Sequence, residues 1–122
     1  MNDTLLLVFL LFTKHFVVDF PLQTKFQWSN KGTYLHPGGL LHAACHAGAT
    51  LACFAWYAPL AAYYLALIDF VLHYHIDWAK SNINKKYKYT QDNSKFWVWF
   101  GADQLAHQFT YILLIWWIFF GV

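Results

Sequence analysis

Apolar residues run in four long blocks, about Thr4 to Phe20, Gly39 to Tyr57, Leu60 to Lys80 and Phe96 to Phe120, with polar stretches between them. Each block is close to the ~20 residues that carry a helix across ~30 Å of hydrocarbon. The pattern predicts an all-α, polytopic membrane protein: one domain over residues 1–122, with four transmembrane helices at about 4–20, 39–57, 60–80 and 96–120 in an antiparallel bundle. Pro21 closes the first block and His36-Pro37-Gly38-Gly39 opens the second. Pro59 marks a turn so tight that blocks two and three form a helical hairpin.

Composition agrees with that reading. Hydrophobic residues make up 59% of the chain, aromatics 22% and charged residues 11%, against roughly 25% charged in an ordinary soluble domain. So many rings exceed what a core of this size can hide, which places Trp and Tyr in belts facing lipid or headgroups. Met1-Asn2-Asp3-Thr4 has no basic leader region, so the first helix is expected to be retained rather than cleaved. Cys45 and Cys53 lie too far apart on one helix to bridge, and read as core packing.

Charge fixes a direction. Lys25, Lys31, Lys80, Lys85, Lys86, Lys88 and Lys95 all fall on the side of the loops at 21–38 and 81–95, and the side holding both termini and the Pro59 turn has none. By the positive-inside bias the lysine-rich loops are cytoplasmic and both termini lie outside, in a multi-pass protein of the cytoplasmic membrane. The loop lysines read as contacts to the lipid surface, with no nucleic-acid readout expected. Lys80 could also steer an anionic headgroup, and Lys14 is expected to snorkel along the first helix.

Ionisable groups inside apolar helices cost several kcal/mol unless partnered, and so point to function. Each block carries one i, i+4 pair: His15 and Asp19, His42 and His46, His73 and Asp77, Asp103 and His107. That spacing puts both members on one helix face. Given the alternating helix directions, all these groups fall roughly 3 to 17 Å from the cytoplasmic interface at ~1.5 Å per residue. His15, His46, His73 and His107 form the deeper layer, Asp19, His42, Asp77 and Asp103 the shallower one. Imidazoles with carboxylates suit a divalent transition metal, zinc first, with iron or manganese as alternatives. Three carboxylates, two divalent ions and one hydroxide are neutral, which favours two ions over one. Asp69, one turn deeper than His73, is a further carboxylate or a partner for a histidine. Gln23, Gln104 and Gln108 could orient ligands or substrate, whereas His75 is peripheral and His36 a solvated loop residue. His15-x3-Asp19 echoes His73-x3-Asp77, and the block around His46 echoes that around His107, which suggests two similar helical hairpins about a pseudo-two-fold axis.

Taken together, His15-x3-Asp19-Phe20-x2-Gln23, His42-x3-His46, His73-x3-Asp77-x2-Lys80 and Asp103-Gln104-x2-His107 resemble a family of bacterial and phage membrane proteins, the domain of unknown function 3307. More distantly the pattern resembles membrane-bound metal-dependent hydrolases. The residues themselves support a metal-dependent hydrolase: ions held by the eight His and Asp residues would lower the pKa of a bound water and polarise an ester or phosphoryl oxygen. Asp103 or Asp19 would act as base. A lipid, an anionic headgroup or a nucleotide would reach the site from the cytoplasmic leaflet, and association into a homo-oligomer stays open. With no arginine in the chain, a bidentate guanidinium clamp on phosphate is excluded. An iron-dependent oxidase or hydroxylase, and a non-enzymatic, metal-stapled protein acting on a host or phage membrane process, are the alternatives.

Overall fold

Capping decides where the helices begin and end in the computed structural model, which describes residues 2–121. Helix α1 (Asp3–Asp19) starts at Asn2, whose side chain accepts from the Thr4 amide at 2.8 Å. α3 (Pro37–Ala55) starts at His36, whose Nδ1 accepts from the Gly38 amide at 3.0 Å, with Pro37 pre-set for the first turn. His36 is thus a helix cap rather than a free loop residue. α4 (Pro59–Tyr87) again opens on a proline, and Lys88 closes it in the left-handed region at φ 56°. Asn93 caps α5 (Ser94–Phe120) by accepting from the Lys95 amide at 2.9 Å.

Two bounds differ from expectation. The third long helix continues to Tyr87 because nothing in Ser81–Tyr87 breaks it: the segment is polar but free of Gly and Pro, and Lys85 and Lys86 complement the negative helix end. The 21–38 connection is not plain loop either, since Thr24 and Gln27 build a reciprocal capping box around the single turn α2 (Lys25–Trp28).

α1 packs on α3, α3 on α4, α4 on α5 and α5 back on α1, so the four long helices close a ring, with α2 against α3. In that ring the matched segments, α1 with α4 and α3 with α5, occupy diagonals, as a two-fold axis along the bundle requires. The interior is divided lengthwise. One end is apolar, built on Leu7, Leu11, Phe54, Ala62, Leu65, Leu114 and Ile115 around Tyr111. The other end is filled by histidines and aspartates.

Outward, the pattern inverts. Leu60 is 81% exposed, Phe120 73% and Val98 68%, while His46, His73 and His107 are fully buried. Among the described residues one helix, Pro37–Ala55, is long and apolar enough by itself to cross a membrane. α1, at 17 residues, spans only ~26 Å at ~1.5 Å per residue, and α4 and α5 are diluted by tyrosines, tryptophans and their inward His and Asp. Hydropathy of the helices therefore supports the helical bundle but not four separate spans.

The α2 region is bound tightly to the bundle. Asn82 of α4 donates to the Gly32 carbonyl at 3.0 Å, and the Leu35 amide donates to the Tyr74 hydroxyl at 2.5 Å. Gly38 lets the backbones meet: a Cβ there would run into the Phe26 carbonyl and stand 3.2 Å from Asn30 Cβ. Gly38→Ala should cost ~1–3 kcal/mol, read as a lower unfolding midpoint in detergent; an unchanged midpoint would mean that this close approach is easily relaxed.

Candidate metal centre

The i, i+4 pairs on α1, α3, α4 and α5 turn to the axis at the polar end, and all eight residues are buried. Asp19 is the hub of one half. His42 Nε2 and His46 Nε2 lie 2.9 and 3.2 Å from its Oδ1, and His15 Nε2 3.0 Å from its Oδ2. Asp77 is the hub of the other, with His42 Nε2 and His73 Nε2 each 3.3 Å from its Oδ2 and His107 Nε2 3.5 Å from its Oδ1. His107 Nε2 is also 3.5 Å from Asp103 Oδ1. Three imidazoles stack across the middle, His46 on His73 at 3.6 Å between centroids and His73 on His107 at 4.1 Å.

Potential ligand atoms gather into sets whose members all lie within 4.8 Å of one another: Asp19, His42, His46 and His73; Asp77, Asp103 and His107; and His15, His73 and His107. The first two share no residue. Convergence of the histidine Nε2 atoms is the feature that fits a cation. His73 Nε2 faces His42 Nε2 at 3.2 Å, an approach of two nitrogens that a shared proton or a metal must relieve. His107 Nε2 and Asp103 Oδ1 are buried without a hydrogen-bond partner among the described residues. Unmet polar atoms of this kind are costly in an apolar interior, and a cation would take a lone pair from each.

His15 stands apart. Its Nε2 faces two acceptors, Asp19 Oδ2 at 3.0 Å and Gln104 Oε1 at 3.1 Å, while its Nδ1 is 2.8 Å from the Tyr111 hydroxyl. The proton therefore belongs on Nε2, and Nδ1 accepts from Tyr111. In that state His15 orients Asp19 rather than offering a lone pair. Gln104 carries the network on by donating to Asp103 Oδ2 at 3.1 Å. Gln23 donates to the Asp19 backbone carbonyl, closing the last turn of α1.

Several expectations are corrected here. Lys14 does not snorkel: it is buried, and its Nζ lies 2.8 Å from Asp69 Oδ2. Asp69 lies outside the candidate ligand sets and pairs by Oδ2 with Lys14 and with the Thr50 hydroxyl, which donates to it. Lys31 is no surface lysine. The α2 segment folds it under the bundle, 2.9 Å from Asp77 Oδ2 and 3.8 Å from Asp19 Oδ1. Lys80 sits 3.6 Å from Asp103, and exposed His75 stays peripheral, bonded to Tyr34 and the Val71 carbonyl. Cys45 is exposed and Cys53 half-buried, so neither is a core residue in full.

The lysines change the charge balance. Asp19, Asp77 and Asp103 against Lys31 and Lys80 leave one negative charge with neutral histidines, so one divalent ion already overcompensates it. Tyr111 and Thr50, each four residues beyond an inward histidine, extend the same faces and could have been read from the spacing; nothing in the sequence marks Lys31.

Residues 6–122 match the family described as "Protein of unknown function (DUF3307)". The chain belongs to that family. No curated protein and no solved structure matches it. The DUF3307 match takes in all four of the inward pairs, from His15 to His107.

Proposed function

We propose that this DUF3307 protein is a membrane-embedded metal-binding protein, a metal-dependent hydrolase whose His/Asp centre opens toward the cytoplasmic face of the inner membrane. One observation carries the reading: seven inward side chains from four helices divide into two disjoint ligand sets. Asp19, His42, His46 and His73 offer four donors, the number that closes a tetrahedral zinc site; Asp77, Asp103 and His107 offer three, which leaves a position for water or substrate. A divalent ion in the three-donor set would act as a Lewis acid and make a bound water easier to deprotonate.

The chain's own groups then have distinct tasks. Asp19, held by three histidines, serves as a ligand and is a poor base. Asp103 would hold the ion by Oδ1, which has no hydrogen bond among the described residues, and its second oxygen, Oδ2, is the one left to take the proton from the attacking water. Lys80, part-exposed beside Asp103, favours a substrate that carries negative charge, such as a phosphate ester.

Membrane embedding is supported by the inverted surface, with large apolar side chains outward on every long helix and the ionisable groups inward, as polar groups in spanning helices must be. It is supported too by the one-sided distribution of lysine. Two results test the proposal. A reporter fused to the C-terminus should be active only outside the cytoplasm, and cytoplasmic activity would overturn the orientation. Metal-loaded protein should hydrolyse members of a panel of carboxylate and phosphate esters, with Asp103→Asn lowering the rate by about 10²-fold or more; the hydrolase reading fails if no ester turns over.

A further inference from the structure

A cleft of about 170 Å³ opens between α1 and α5. One wall is a ladder of Phe12, Phe16 and Phe20, spaced so that all three share a face of α1. Phe16 and Phe20 stack at 5.4 Å, and Phe12 lies 6.4 Å from the Tyr111 ring. The facing wall presents the amides of Gln104 and Gln108, and His15 and Tyr111 form the floor.

The polarity of the lining selects a ligand. No acid or lysine lines the cleft, so the polar part of whatever fills it is neutral there. Gln104 is engaged at both ends by His15 and Asp103. Gln108 has no hydrogen-bond partner among the described residues, leaving its NH₂ to donate to a carbonyl and its C=O to accept from a hydroxyl. The ladder runs from Phe20, beside the polar end, ~12 Å toward the apolar end at ~1.5 Å per residue. Phe9, Phe109 and Ile112, all at least half exposed, continue the apolar surface beyond it. The second cleft, about 220 Å³ between α4 and α5, differs: its walls are apolar, and its polar residues Lys80 and Asp103 already pair with each other.

We propose that the α1–α5 cleft binds a glycerolipid by its acyl-ester region, the ester carbonyl on Gln108 and the acyl chain along Phe16 and Phe12. The proposal rests on the membrane reading above and needs neither a metal nor turnover. It places the glycerol end of the lipid beside His15 and Gln104, at the edge of the metal centre.

The test uses full-length protein in phosphatidylcholine nanodiscs with metal chelated, and two photoreactive probes, a monoacylglycerol with a diazirine on its acyl chain and the matching glycerol ether. Adducts of the ester should concentrate on residues 12–20 and 104–112, about fivefold above those on the exposed α4 face at 60–72. The ether, lacking the carbonyl, should label about fivefold less, the worth of one neutral hydrogen bond. Gln108→Leu should erase the difference between ester and ether. Phe16→Trp, on the opposite wall, should narrow the cleft and lower labelling by both probes, and keeps the test open should the first variant not fold. Even labelling of all lipid-facing helices, or equal labelling by ester and ether in the wild type, would overturn the proposal. Failure of the hydrolase reading has a different signature, no ester turnover by separately metal-loaded protein while labelling stays intact, and failure of the membrane reading a third, protein that does not enter the nanodisc.

Discussion

Protein purified in mild detergent, without a histidine tag, is expected to carry one to two equivalents of a divalent transition metal, and His73→Ala to lose most of it. His73 belongs to the four-donor set, and its ring stacks between His46 and His107. Removing it subtracts one nitrogen ligand and leaves a void at the middle of the cluster, where neither neighbour is held in register. Loss of a residue that merely orients a ligand costs 10- to 100-fold in metal affinity, so loss of a ligand should cost more. Asp103→Asn acts on the three-donor set alone and should leave metal in the four-donor set bound. His75→Ala is the control: exposed, and bonded only to Tyr34 and a backbone carbonyl, it should keep the full complement. Elemental analysis reads all of these directly. Wild-type protein with no stoichiometric metal would end the hydrolase and oxidase readings together, while zinc favours the first and iron with an oxygen-sensitive spectrum the second.

Legibility of the site followed from how much each residue's position depends on its own helix. His15, Asp19, His42, His46, His73, Asp77, Asp103 and His107 declare themselves because an i, i+4 pair on an apolar helix fixes face and depth at once, and the helix directions fix the end. Lys31 was not legible. It reaches Asp77 only because Asn82 and Tyr74, more than 35 residues on, bind the Gly32 and Leu35 backbone. Contacts of that kind leave no periodicity to read. The charge of the site is hidden in the same way, because tertiary structure alone brings Lys31 and Lys80 to the three carboxylates. The extension of α4 to Tyr87 is not legible for a different reason: polarity ends only the apolar stretch, whereas a helix stops at a cap such as Lys88. Lys14 points to snorkelling because that is the default for a lysine without a partner, and its partner Asp69 lies on the diagonal helix, 55 residues away.

That diagonal pair should give the largest stability effect in the molecule. Lys14→Ala alone, or Asp69→Ala alone, is expected to destabilise the bundle by ~3–5 kcal/mol, because each strands a charge that has left water. The Lys14 and Asp69 side chains are 7% and 0% exposed, so water cannot rescue the survivor. The joint replacement Lys14→Met with Asp69→Leu should cost far less, within ~1 kcal/mol of wild type, since a buried ion pair gains little over an apolar contact of similar volume. Unfolding in mixed micelles by increasing detergent denaturant, run as a double-mutant cycle, measures both. A second outcome is informative through the metal centre. Lys14 Nζ also lies 3.3 Å from the His46 carbonyl and 3.4 Å from His46 Nδ1, and 4.4 Å above the Tyr111 ring, so it braces a ligand residue from below. If the double variant recovers stability but binds metal more weakly, the pair serves to aim His46; if it recovers both, the pair only offsets its own burial. Single variants no less stable than wild type would mean that neither group is charged in the folded protein, and the diagonal would then be an ordinary neutral hydrogen bond.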